Sequence, residues 1–212
     1  MSLPVHTRLS LYNLALGHLG ERKLASLTED VETRYLLDEE YEQTLALCLR
    51  SGYWNFAMRA IKMESDFTPN FGYRYGFTKP DDWVKTYQTS EDERFSTPYT
   101  MGLKDQSGSW LADTTPMYFK FVSSIKGLAE AKFPPDYAEY VGFELAFKVM
   151  PRVTNKSQDE IAGFEKRMKK AGSIARSNDA MDQGPESLPV GSWVRSRSGG
   201  WRSGGLGSPW TS

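Results

Sequence analysis

Residues 137–150 read YAEYVGFELAFKVM, with apolar side chains at Tyr140, Val141, Phe143, Leu145, Ala146, Phe147 and Val149. A helix that is apolar nearly all round is a buried helix. Pro134-Pro135-Asp136 opens the segment and Pro151 is expected to stop it. Just beyond, Ser157 and Glu160 have capping-box spacing for another helix, with an apolar face at Ile161, Phe164, Met168, Ala171 and Ala175.

Toward the N-terminus, two more helices are predicted. The first runs from Pro4 to Leu19, with Leu9, Tyr12, Leu16 and Leu19 on one face and Gly20 as its stop. The second spans about Asp30 to Arg50. Ser26 with Glu29, or else Thr28 or Asp30, is expected to cap it. Its inward stripe is Leu37, Tyr41, Leu45 and Cys48, while Glu32, Asp38, Glu39, Glu40, Glu42 and Gln43 give an acidic outer surface.

Between Tyr53 and Ser124 the helical period disappears. Aromatics, Thr, Gly and Pro take over, and Tyr73–Phe77, Val84–Thr89 and Tyr118–Val122 read as short strands. Turns are expected at Thr78-Lys79-Pro80-Asp81 and Asp113-Thr114-Thr115-Pro116. The fold class is thus α+β and mainly helical: a bundle of about four helices, a β-rich insertion between the second and third, and an extended C-terminal tail. In domain terms, 1–57 with 125–180 forms the helical core, 58–124 the insertion and 181–212 the tail.

The tail differs in texture. Of the 29 residues from Gly184 to Ser212, 17 are Gly, Ser or Pro, which disfavours a core. The same stretch carries Trp193, Trp201 and Trp210 with Arg195, Arg197 and Arg202. Trp and Arg are the residue types most enriched at binding hot spots, so the segment is expected to dock on a partner.

No catalytic or metal motif emerges. His6 and His18 pair neither with each other nor with Cys48 at ligand spacing, and no cofactor signature occurs. One cysteine excludes an intrachain disulfide and suits a reducing compartment. No signal peptide or membrane span is expected from the sequence given. The 26 basic and 27 acidic side chains leave a net charge of −1, against a protein built to grip duplex DNA tightly. Lys166, Arg167, Lys169 and Lys170 form a basic cluster on the last helix. It suits helix-dipole complementation, or a contact with an acidic neighbouring subunit.

The residues then resemble a family. Leu11-Tyr12-Asn13-Leu14-Ala15-Leu16 leading to Leu19-Gly20, an acidic helix, and Gly52-Tyr53-Trp54-Asn55-Phe56-Ala57 look like the opening of the podovirus tail tubular protein A family of phage head-to-tail adaptors. Tyr53 is a departure, since it stands between the Gly and Trp of that family's pattern. Pro80-Asp81-Asp82-Trp83-Val84 and the 137–151 helix continue the likeness, which covers residues 5–178 loosely.

The resemblance implies a non-catalytic structural virion protein, assembled in the bacterial cytoplasm and residing in the virion tail. It would form a dodecameric ring joining portal to a tail tubular protein B-like nozzle, with tail fibres as further neighbours. Double-stranded DNA would pass through without tight binding. On that reading Glu32, Asp38, Glu39 and Glu42, or the basic cluster, form a subunit or channel face. Competing readings are a tail-associated cell-wall hydrolase, a strand binder using the tail arginines and aromatics, and a connector of a long-tailed phage.

Overall fold

A computed structural model describes residues 5–96, 103–154 and 156–182. It is a mixed α/β fold with five α-helices and two small three-stranded antiparallel sheets.

Helix α1 spans Arg8–Leu19, α2 Glu32–Arg50, α3 Ser124–Gly127, α4 Pro135–Val153 and α5 Gln158–Asp182. The predicted start of α1 at Pro4 is corrected: residues 5–7 are non-helical, and Thr7 is the cap. The Ser10 amide donates to Thr7 Oγ1 at 3.3 Å, and the Thr7 amide returns a bond to Ser10 Oγ at 2.8 Å. This reciprocal pair satisfies two amides that no helical carbonyl can reach. At the other end Gly20 takes φ 79°, the left-handed conformation expected of it.

The predicted cap of α2 is also corrected. Val31 precedes the helix and no side chain caps it. Glu29 instead accepts from the Ala25 amide at 2.9 Å and from Arg22 at 2.6 Å, while Asp30 accepts from the Tyr35 hydroxyl. These local bonds tie Glu29 to the preceding loop and Asp30 to a side chain of α2, and neither is left to cap the helix amides.

Pro151 does not end α4 but sits in its last turn. A proline so near the C-terminus forfeits only one intrahelical bond. Thr154 closes the helix, its amide (2.9 Å) and hydroxyl (3.1 Å) both donating to the Met150 carbonyl. The predicted capping box of α5 is present, with Glu160 accepting from the Ser157 amide at 2.9 Å.

Helices α1, α2 and α5 all pack on α4. That explains why 137–150 has no polar face: Tyr137, Val141, Leu145 and Val149 meet Leu11, Leu16, Leu37, Tyr41 and Phe164 in one buried cluster. Gly142 permits the close approach of α1, because a Cβ there would lie 2.1 Å from a terminal methyl of Leu14.

The strands are β1 (Met58–Met63), β2 (Tyr75–Thr78), β3 (Trp83–Ser90), β4 (Lys104–Gln106), β5 (Ser109–Ala112) and β6 (Met117–Ser123). The three predicted strands correspond to β2, β3 and β6, whereas β1, β4, β5 and α3 were not predicted. One sheet has the order β1-β6-β3 and the other β2-β5-β4. Met117, Phe119 and Phe121 point from β6 toward Phe77, Trp110 and Ala112, building a second buried cluster. Trp110 stacks on Phe119 with ring centroids 4.2 Å apart. On the opposite face of β6, Val122 joins the helical cluster, along with Met58 and Val84.

Candidate interaction surfaces

Residues 52–57 and 80–84 lie where helices meet strands. Trp54 follows α2, is fully buried, and donates from Nε1 to the Cys48 carbonyl at 3.0 Å. Its ring packs on Tyr137 and Tyr140 of α4. Gly52 is required beside it, since a Cβ there would stand 2.8 Å from the indole. The next turn, Asn55–Ala57, is held by α5: the Asn55 amide donates to both carboxylate oxygens of Asp179, at 2.9 and 3.0 Å. Burial raises the Asp179 pKa, with this amide working against the rise and Asp182 adding to it.

Asp82 forms the second joint. Its carboxylate is buried at the start of β3 and accepts from Arg59 Nη1 of β1 (2.8 Å to each oxygen) and from Ser123 Oγ of β6 (2.5 Å). Its backbone carbonyl accepts from the Ser124 amide, the first residue of α3. Burial pushes the carboxyl upward, but the Ser123 and Arg59 hydrogen bonds outweigh it and hold the pKa below the ordinary value.

Between the sheets, Lys79 is nearly buried. It donates to Asp105 and, at 2.7 Å, to the Gln106 carbonyl, and its ammonium lies 3.5 Å from the Trp83 ring centre. Thr86 Oγ1 accepts from Trp83 and Trp110 and donates to Asp105. Every member of this network has a partner, as a structural polar cluster requires.

The acidic helix proves to be largely compensated within the chain. Asp38 accepts from Arg8 (3.0 Å), Tyr12 (2.6 Å) and Arg34 (2.8 Å). Glu39 pairs with Arg152 at 3.0 Å, Glu40 with Lys148 at 3.2 Å, and Glu42 lies 3.8 Å from Arg8. Glu32 occupies the first turn, where the helix dipole favours an anion. The pattern read from the sequence as an acidic outer surface therefore includes the α2–α4 contact. Tyr41, behind it, donates to Glu130, and burial raises its pKa.

Of the predicted basic cluster on α5, Lys169 pairs with Glu165 at 2.5 Å and Arg167 lies 5.2 Å from the Phe164 ring centre. Lys166 is exposed. Arg167 and Lys170 border an open groove of about 360 Å³ between α4 and α5, with Asp136 and Glu139 on its other side and Phe143, Ala171 and Ile174 along it. At the end of α1, His18 stacks on Phe143 (3.7 Å between centroids), with Nε2 3.3 Å from Glu139. Burial lowers the His18 pKa and Arg167 adds to the fall, against the opposing pull of Glu139.

A second cavity, of about 320 Å³, is lined by Tyr53, Trp54, Lys85, Tyr87, Arg176 and Asp179 among others. Nothing in the sequence reading singled it out, because its members come from three separate segments: the turn after α2, β3 and α5. The predicted docking residues Trp193, Arg195, Arg197, Trp201, Arg202 and Trp210 lie outside the described residues. Among the described residues, no group of three or more His, Cys, Asp or Glu side chains is placed to hold a metal ion, and no helix is long and apolar enough to cross a membrane. No protein-family model and no curated protein matches the chain.

Proposed function

We propose that the protein is a structural subunit of a phage head-to-tail adaptor ring, built as a four-helix bundle carrying a β-rich insertion. In this reading it joins a portal to a tail nozzle, continues the DNA channel, and assembles as a ring of identical chains. What supports it is the role of the residues shared with that family. Gly52, Trp54 and Asp82 each tie a helix to a strand or turn, so the likeness lies in how the framework is joined. Firm joints rather than a reactive cleft are what a ring subunit that transmits force needs. The carboxylates of Asp38, Glu39, Glu40, Asp82 and Asp179 are all engaged in framework contacts. A glycosidase requires instead two facing carboxylates across an open cleft.

The C-terminal tryptophans and arginines supply the docking element of this proposal, reaching a portal, a neighbouring subunit or the nozzle. The test is the mass of the purified chain by light scattering, alone and mixed with isolated portal rings. Oligomerisation, or co-migration with portal, is the expected result. A strict monomer that ignores portal rings refutes the reading.

A further inference from the structure

We propose that the face of the β1-β6-β3 sheet opposite Phe119 and Phe121, where it runs out from under the helices beyond Val122, is a nucleic-acid contact surface, on which a row of lysines interleaved with tyrosines receives a phosphodiester backbone. The choice of nucleic acid as the polymer rests on the adaptor reading; the anion-receiving face follows from the sheet alone.

The register creates the row. Lys62 of β1 stands opposite Tyr118 of β6, Lys120 lies two residues further along β6, and Lys85 of β3 stands opposite Val122, two residues further again. Side chains two apart on a strand share a face, so all three ammonium groups emerge opposite the buried Phe119 and Phe121. Each step crosses one strand and advances two residues, which places successive lysines about 8 Å apart along a diagonal. Arg176 of α5 extends the row, since it lines the same cavity as Lys85.

Two features of this face leave its cations open to an anion. Among the described residues, none of Lys62, Lys85, Lys120 and Arg176 forms an ion pair, whereas Arg34 of α2 and Lys148 and Arg152 of α4 do. In addition, Lys85 and Lys120 lie over aromatic rings. Lys85 Nζ is 4.0 Å from the Tyr53 ring centre and Lys120 Nζ 5.1 Å from that of Tyr87, with Tyr53 and Tyr87 in edge contact. Cations held over rings keep their charge available to a third group. Aromatic rings set between cations suit a strand whose bases offer faces for stacking. The carboxylate lining this cavity, Asp179, is already committed to the Asn55 amide. At the far end Phe95 packs on Tyr118 and closes the row.

Four cations predict weak binding that depends steeply on salt, with log K against log[salt] sloping about −3 to −4 (roughly −0.9 per phosphate for duplex, −0.7 for single strands). This agrees with a net charge of −1 over the whole chain.

The test is fluorescence anisotropy of labelled single-stranded and duplex DNA with the full chain, across about 25 to 200 mM salt. The expected result is binding in at least one of the two arms. Lys120→Ala and Lys85→Ala should each reduce the slope by about one. Lys166→Ala on α5 should leave it unchanged. Absence of binding at the lowest salt overturns the proposal. So does a slope unaffected in both sheet variants, a slope abolished by replacing Arg195, Arg197 and Arg202 alone, or competition by polyglutamate equal to that by DNA. The assay involves no portal, so its failure leaves the adaptor reading standing, and a failed portal assay leaves this surface standing.

Discussion

Replacing Asp82 with Asn keeps the shape of the joint and removes only its charge. Ser123 donates to this buried carboxylate at 2.5 Å, a bond to a charged acceptor worth about 1.5–3 kcal/mol against about 0.5–1.5 for a neutral one. The Arg59 bonds add little, because that side chain is 41 % exposed and an exposed pair contributes roughly 0.2–1 kcal/mol. The sum gives a destabilisation of about 2 kcal/mol at neutral pH, or roughly 4–8 °C in midpoint for a chain of this size. The sign with pH follows from the depressed carboxyl. Folding lowers its pKa below 3.8, so its contribution is complete above the unfolded value and fades as pH falls through the folded one. Urea denaturation of D82N and the parent at pH 7 and at successive steps below pH 4 measures the gap. A gap that keeps its size at acid pH, or is absent at pH 7, refutes the assignment of Asp82 as a charged joint.

Trp54→Ala should cost about 3–5 kcal/mol, through the cavity left and the lost indole bond to the Cys48 carbonyl, read as a lower thermal midpoint. The His18 imidazole should titrate by NMR with a midpoint below 6.5, and stability should fall as pH drops from that value, because the folded chain binds the proton less readily than the unfolded one. Burial raises the Cys48 thiol pKa, so a thiol reagent should label it in denaturant and spare it in the native protein. Glu39→Gln should change stability by less than about 1 kcal/mol, since both partners of its bridge to Arg152 are 61 % exposed, and the difference should shrink in high salt.

The long helices were legible because burial writes a period into the sequence. Leu37, Tyr41, Leu45 and Cys48 are all buried as their spacing implied, and so are Phe164 and Ala175. The strands were only half legible. β6 announces itself through alternating aromatics, whereas β1 (Met58–Met63) carries Arg59 and Lys62 on a sheet edge, and β4 has only three residues. Helix ends were read less well, because the capping chemistry of Glu29 and Asp30 is consumed by the Ala25 amide and the Tyr35 hydroxyl instead of the first amides of α2. The compensation of the acidic stripe was hidden for a different reason: Lys148 and Arg152 lie more than a hundred residues away in sequence and meet Glu40 and Glu39 only when α4 packs on α2. The lysine row was equally invisible, being a property of strand register.

Strand β6 places Phe121 in one hydrophobic cluster and its neighbour Val122 in the other. Adjacent residues with opposite anchors make this strand a rivet between two layers. Tension applied to the sheets passes straight along its backbone into α4 and its neighbours, and neither cluster can open without tearing residues from the second. The molecule should accordingly yield as one unit under force or heat, with a single rupture event instead of a soft sheet peeling from a hard helical base.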